Sequence, residues 1–172
     1  MNLIGTLGSR RGRMARTSYA IALGSNRRSR HGSPAATLRA ALAAIGGVKA
    51  VSRIRTTPAL GPAGRSFANA AAIVESRLTP DALLAELKAI ERAFGRRPGR
   101  RWGPRVLDLD IVLWSGGAWH GPGPTIPHPA FRSRDFVLRP LAEVAPGWRD
   151  PASGATVRQL LARLTAPRPQ PR

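Results

Sequence analysis

Between Ser18 and Asn26 the chain reads SYAIALGSN, in which Tyr19, Ile21 and Leu23 alternate with small residues before a Gly-Ser-Asn turn. A period of two predicts a half-buried β-strand. The pattern then becomes helical. In SPAATLRAALAAIGG, Leu38, Leu42 and Ile45 recur at i, i+4 and i+7, Ser33 stands at the N-cap, Pro34 at N1, and Gly46 closes the segment. Each of these residue types suits its position in a helix. A second strand is expected in VKAVSRIRT, stopped at Thr57-Pro58, and a third in FANAAAIVES after the turn-rich PALGPAGRS. The second helix opens at Thr79 with Pro80 at N1 and Asp81 in its first turn. It carries Leu83, Leu84, Leu87, Ile90 and Phe94, and ends at Gly95. A basic loop, RRPGRRWGPR, leads to a fourth strand from Val106 to Trp114.

The order β-α-β-β-α-β predicts an α+β, ferredoxin-like core, an antiparallel sheet with helices packed on it. Past Trp114 the periodicity weakens. The segment SGGAWHGPGPTIPHPAFRSRD reads as loop, FVLRPL as a short strand, and TVRQLLARL as a last helix, giving a loop-rich C-terminal extension. The expected organisation is a basic disordered tail over residues 1–17, one domain over 18–165, and a flexible end over 166–172.

Charge changes the picture more than length does. The formal net charge is +19 over 172 residues. The first carboxylate is Glu75, and twelve basic residues precede it. Such a chain attracts polyanions, and both a nucleic acid and a nucleoside triphosphate fit. Hydrophobic content of 42% and a mean hydropathy of −0.19 suit a globular domain. No apolar run approaches the ~20 residues of a membrane span. The basic lead also lacks the apolar core of a secretory signal. Cysteine is absent, which excludes disulfides, thiolate nucleophiles and Cys-ligated metals and leaves the redox compartment unreadable.

Two of only five aspartates, Asp108 and Asp110, stand inside the apolar run VLDLDIVLW. On a regular strand Leu107, Leu109, Ile111 and Leu113 share one face, and Val106, Asp108, Asp110, Val112 and Trp114 share the other. Both carboxylates then project the same way, with Cβ atoms roughly 6–7 Å apart. Carboxylates that close repel unless a cation lies between them or one is protonated. Hard divalent cations such as Mg²⁺ take oxygen ligands, often one or two carboxylates plus substrate phosphates. Simple pairing with arginine competes with that reading. Arg96, Arg97, Arg100, Arg101 and Arg105 all precede the acids closely, and guanidinium matches phosphate oxygens bidentately. No G-x-x-x-x-G-K-[ST] phosphate loop occurs, so a nucleotide here would be held by arginines and metal.

The stretch RWGPRVLDLDIVLW resembles the signature of the 6-hydroxymethyl-7,8-dihydropterin pyrophosphokinases of folate biosynthesis. AIALGSN, TTPALGP (56–62), FANAA (67–71), IERAFGR (90–96) and IPHPAFRSRDFVLRPLAEVAP (126–146) resemble further blocks of that family, in its order. The resemblance implies transfer of a pyrophosphoryl group from ATP to the pterin hydroxymethyl oxygen, releasing AMP. It implies two Mg²⁺ ions on Asp108 and Asp110. It implies catalytic phosphate contacts from Arg96 and Arg105, and a closing loop carrying Trp102. For the pterin it implies a slot formed by Phe67, Asn69 and Phe136, with backbone groups near Thr57, Pro58 and Leu60. For ATP it implies contacts from Glu91, Ile111, His128 and Arg134 as well. His31 and His120 receive no role. The family further implies a cytoplasmic monomer with no membrane and no specific nucleic-acid partner. Pro129, after His128, departs from the family pattern, which commonly has a hydrogen-bonding side chain there.

From the residues alone, Phe136 reads as plain core, Glu91 equally as a surface i,i+4 partner, and Trp102 also as a packing anchor. A buried Asn69 among alanines needs partners, which favours a ligand. A nucleic-acid-binding module on a ferredoxin-like sheet is the main rival. It stacks bases on strand aromatics, whereas aromatics here total 5% and a strand taken as central and exposed offers two carboxylates.

Overall fold

The computed structural model describes residues 13–58, 65–95 and 105–167. Their order is β1 (Arg13–Ser25), α1 (Pro34–Ala44), β2 (Val48–Val51), β3 (Arg55–Thr57), β4 (Phe67–Leu78), α2 (Pro80–Ala93), β5 (Asp108–Trp114), β6 (Trp119–His120), β7 (Thr125–Ile126), a 3₁₀ turn (Phe131–Ser133), α3 (Asp135–Val144) and α4 (Val157–Thr165). The main sheet runs β2-β4-β1-β5, entirely antiparallel, with β3 also on β4. This is the expected split arrangement, with the two longest strands, β1 and β4, at its centre. No helix among the described residues is long and apolar enough to cross a membrane.

The first two predicted helices start where their caps lie. Ser33 Oγ accepts the Ala36 N–H at 3.2 Å and Thr79 Oγ1 accepts the Ala82 N–H at 3.4 Å, each with proline at the next position. One core lies between the sheet and these helices: Tyr19, Ile21, Leu23, Ala70, Ala72, Val74, Leu107, Leu109 and Ile111 meet Leu38, Ala41, Leu83 and Leu87. A second core covers the opposite face, where Ala20, Ala71, Val112 and Leu113 meet Leu138, Leu141, Val157 and Leu160.

The structure corrects four expectations. FVLRPL is not a strand but most of α3. Its apolar positions include Val137, Leu138, Leu141 and Val144, a helical spacing hidden by the alternation of Phe136 and Leu138. Pro140 sits inside this helix and costs about 3 kcal/mol there. Leu138 and Leu141 are fully buried, at roughly 1.5–3 kcal/mol each, and outweigh it. Secondly, the C-terminal extension is less loop than expected, because α3 and α4 form a third layer.

Thirdly, β1 begins at Arg13. Thr17 and Ser18 pair with Ser76 and Glu75 on the long β4, and Arg16 lies 3.5 Å from Glu75, so the end of the expected tail is sheet. Fourthly, β5 is an edge strand, and it contains a bulge. Ala20 pairs with Leu113 but Ile21 pairs with Ile111, leaving Val112 as an extra residue. The bulge reverses the parity beyond it. Leu113 turns to the α3 side, and Trp114 returns to the α1–α2 side, packing on Tyr19 with ring centroids 6.1 Å apart.

Candidate active site

Among the described residues α3 and α4 cover one end of the sheet face opposite α1 and α2, and the aspartates lie toward the other. Gly24 on β1 pairs with Asn69 of β4 on one side and Asp108 of β5 on the other. The next row on this face is Ala71, Ala22 and Asp110. β1 thus contributes only glycine and alanine between two polar walls. The result is a shallow trough about two strand spacings, or ~10 Å, across. A Cβ on Gly24 would stand 3.5 Å from Asn69 Oδ1 and begin to fill it. By strand parity Phe67 extends the Asn69 wall.

Asp108 and Asp110 precede the bulge, so their expected common orientation holds. Their side chains are 20% and 34% exposed. Arg105 pairs with Asp108 through its Nη1. The approach of Arg105 is fixed by Asn26, whose Oδ1 accepts the Arg105 N–H at 2.8 Å and whose own N–H donates to the Arg105 carbonyl at 3.1 Å. Lys88 Nζ lies 3.6 Å from Asp110 Oδ1. The arginine pairing weighed against a metal is therefore present at Asp108. Both carboxylates nonetheless remain part-exposed.

On the opposite wall, Asn69 is 6% exposed and its Nδ2 donates to Thr57 Oγ1 at 2.7 Å. Pro58 is exposed beside it. Phe67 and Phe136 are half-buried, and both lie outside the two core clusters. The reading of Phe136 as plain core is thereby overturned: it stands in the first turn of α3, with the Arg134 guanidinium 5.8 Å from its ring centre. His128 is half-buried. Its N–H donates to the Val112 carbonyl at 3.0 Å and its Nδ1 accepts the Ala130 N–H at 3.2 Å, so Nε2 is the ring nitrogen these bonds do not use.

Two residues expected at the nucleotide have buried side chains. The Ile111 side chain is 3% exposed in the α1–α2 core, because its parity is opposite to that of the aspartates. Glu91 is 1% exposed, so it is no surface partner. It accepts the Leu109 N–H at 2.6 Å and the Lys88 ammonium at 2.7 Å, while Lys88 also donates to the Leu109 carbonyl at 2.8 Å. The pair supplies the donor and acceptor that the missing neighbour of edge strand β5 would have given. Arg96, Trp102 and Leu60 lie outside the described residues.

Sequence reasoning missed several supporting groups. Glu143 of α3 accepts the Arg53 N–H at 2.9 Å and Arg55 Nε at 2.7 Å, tying β3 to α3. Burial raises the Glu143 pKa, but those hydrogen bonds and the arginine charge outweigh it, leaving it below the usual carboxylate range. Asp150, fully buried, accepts Arg132 through both oxygens at 2.8 and 2.6 Å, with Ser153 Oγ at 2.6 Å and the Ala152 N–H at 3.2 Å. The Arg132 bonds lead, and its pKa falls to about 2 despite burial. This anchors the 3₁₀ turn between His128 and Arg134. The stretch DPAS carried a legible local signal, an aspartate able to bond the backbone two residues on.

A family model described as 7,8-dihydro-6-hydroxymethylpterin-pyrophosphokinase matches residues 20–146, which contain the whole trough. A 2-amino-4-hydroxy-6-hydroxymethyldihydropteridine pyrophosphokinase of Methylorubrum extorquens is 41% identical over 150 residues, 84% of this chain and 91% of that one. One from Synechocystis sp. is 43% identical over 106 residues, 62% of this chain and 54% of that one. The chain thus aligns with about half the length of the Synechocystis relative. Among solved structures, Plasmodium falciparum HPPK-DHPS wild type superposes with a TM-score of 0.64 at 12% identity. That match covers 90% of this chain and 45% of that chain, and it speaks for the fold. The chain belongs to the 7,8-dihydro-6-hydroxymethylpterin-pyrophosphokinase family.

Proposed function

We propose that the chain transfers the terminal diphosphate of ATP to the hydroxymethyl oxygen of 6-hydroxymethyl-7,8-dihydropterin, giving the pterin diphosphate and AMP for folate synthesis. A bond forms from that oxygen to the β-phosphorus, the β-phosphorus to α-phosphate oxygen bond breaks, and the hydroxyl proton is lost. The observation that carries the reading is the trough itself. A hydrogen-bonded amide wall, Asn69 with Thr57, faces a carboxylate wall, Asp108 with Asp110, across a floor of Gly24 and Ala22.

The flat heteroaromatic pterin suits the wall of Phe67 and Asn69, with Phe136 as a second ring from α3. Hydrogen bonding by the Asn69 amide would fix its donor–acceptor edge. Arg105, held by Asn26, would bring positive charge to the phosphates, and Arg134 and His128 Nε2 would extend that contact. Positioning and charge stabilisation account for most of phosphoryl-transfer catalysis, so no protein nucleophile is needed.

The donor set suits magnesium. Asp108 and Asp110 offer hard, part-exposed oxygens, and no third His, Cys, Asp or Glu joins them among the described residues. Two carboxylates that leave most positions to phosphate and water are the ligand set Mg²⁺ prefers. Bound there, Mg²⁺ would neutralise phosphate charge and acidify the attacking hydroxyl.

The test is AMP formation from ATP, dependent on both the pterin alcohol and Mg²⁺, in wild type, Asp108→Ala and Asp110→Ala. Wild type is expected to turn over, and each variant to lose at least ~10²-fold. Normal turnover by both variants would remove the carboxylates from the mechanism.

A further inference from the structure

The β1–α1 loop carries a cluster of positive charge that the trough does not use. Arg27, Arg28 and Arg30 are exposed, and none of the three is within ion-pair reach of a carboxylate among the described residues. Four acids elsewhere in the fold are already paired: Glu75 to Arg16 and Lys49, Glu143 to Arg55, Asp150 to Arg132, Asp135 to Arg139. The acid-free first 74 residues offer no local partner either.

The position of the loop is fixed from both ends. Gly24, the floor of the trough, lies three residues before Arg27. A chain spans at most ~3.6 Å per residue, which puts the Arg27 backbone within about 11 Å of that floor. Asn26, next to Arg27, bonds both backbone groups of Arg105. At the far end the His31 ring stacks on Phe94, at the C-cap of α2, with centroids 4.4 Å apart and planes at 25°. His31 Nε2 accepts from Arg30 Nε at 3.2 Å, so the ring holds this arginine too.

We infer that Arg27, Arg28 and Arg30 form an outer docking site for the triphosphate of the incoming nucleotide, which gathers the anion before it settles against Arg105. The inference rests on the proposed use of a nucleoside triphosphate at the trough. Exposed arginines match phosphate oxygens in pairs. The Arg27 backbone lies within about one Debye length of the trough floor at ~0.1 M salt, and Arg28 and Arg30 follow it in the same loop. Unpaired charges at the mouth of a site speed capture of an opposite charge and leave the later chemistry unaltered.

The test compares two charge-matched triple variants by stopped flow, using Mg²⁺-ATP with a methylanthraniloyl fluorophore on the ribose. One variant is Arg27→Gln, Arg28→Gln, Arg30→Gln. The other is Arg77→Gln, Arg158→Gln, Arg163→Gln, which removes exposed charges at the far end of β4 and on α4. At about 20 mM salt the loop variant is expected to slow association roughly 5–10-fold and the control less than ~2-fold, with the difference gone near 0.5 M. Inorganic triphosphate should compete with the probe less well on the loop variant, while kcat stays unchanged. Equal slowing of both variants, or none, overturns the inference. Wild type that captures the probe but makes no AMP sinks the reaction proposed above and spares the docking site; wild type that captures nothing sinks both.

Discussion

Glu91 Oε1 accepts the backbone N–H of Leu109 at 2.6 Å, so a helix side chain stands where β5 has no neighbouring strand among the described residues. The aspartates flank this very residue. Glu91→Ala leaves a buried N–H without its acceptor, at about 1–3 kcal/mol. It also frees Lys88, which is 30% exposed and can rehydrate, so the full cost of a broken buried pair does not apply. A total of about 2–4 kcal/mol is expected, which lowers Tm by roughly 5–15 °C in a domain of this size. Glu91→Gln keeps an acceptor oxygen and should lose about half as much. Thermal melts in which the two variants fall equally would show that the hydrogen bond to Leu109 is not what Glu91 supplies.

Asp150 predicts a pH signature. Its carboxyl pKa is about 2 in the folded chain against 3.8 for the free group. A depressed acid stabilises the fold above its unfolded pKa. That stability drains away as pH falls from about 4 towards 2. The difference corresponds to about 2 kcal/mol at neutral pH. In Asp150→Asn the urea midpoint should be lower at pH 7, and its decline between pH 4 and pH 2 should be shallower than in wild type. Parallel curves would sink the assignment. Because the Arg132 pair anchors the turn after His128, the same variant should also weaken ATP binding.

The turn between α1 and β2 holds a backbone contact that only one of its two glycines needs. Gly47 has φ +76°, and a Cβ there would stand 2.2 Å from the Glu75 carbonyl oxygen, inside a close approach where the Glu75 N–H also donates to the Gly47 carbonyl. Gly46 has nothing within 4 Å of the same added atom. Gly47→Ala is therefore expected to destabilise by at least ~2 kcal/mol, combining αL strain with displacement of β4, and Gly46→Ala by less than ~0.5 kcal/mol. Chemical denaturation of the two single variants measures the contrast. Equal losses would count against the close approach of Gly47 to Glu75.

What was legible in the sequence was what is local. Ser33 and Thr79 cap helices because a cap needs only the next three residues, and Asp108 and Asp110 share a face because strand parity holds over two. Contacts distant in sequence were hidden. The Val112 bulge depends on how β5 pairs with β1, and it sent Leu113 and Trp114 to the faces opposite those expected. Glu91 reads equally as a surface i,i+4 partner until its bond to edge strand β5 is seen. Asn69 was suspected from its alanine surroundings, but its partner Thr57 comes from β3, twelve residues away. Arg132 and Asp150 meet across eighteen residues, a closure no periodicity reports.

Glu143 offers a way to separate the two walls of the trough. It binds the Arg53 N–H and the Arg55 guanidinium, and so holds β3, which presents Thr57 to Asn69. Among the described residues these contacts stay on the β3–β4 side, while Asp108 and Asp110 stand across β1 on β5. Arg55 is 44% exposed, so the ion pair alone contributes only ~0.2–1 kcal/mol, and the bond to Arg53 adds about as much. Glu143→Ala should therefore loosen β3 without unfolding the domain. The expected result is a pterin KM raised about 3–10-fold with the KM for ATP within about twofold of wild type, since a tenfold change corresponds to about 1.4 kcal/mol. Asn69→Ala should move the same constant further in the same direction, and the double variant should add little, because both act through Thr57 and its amide partner. If Glu143→Ala instead raises both constants together, β3 serves the whole trough, and the division into a pterin wall and a phosphate wall is wrong.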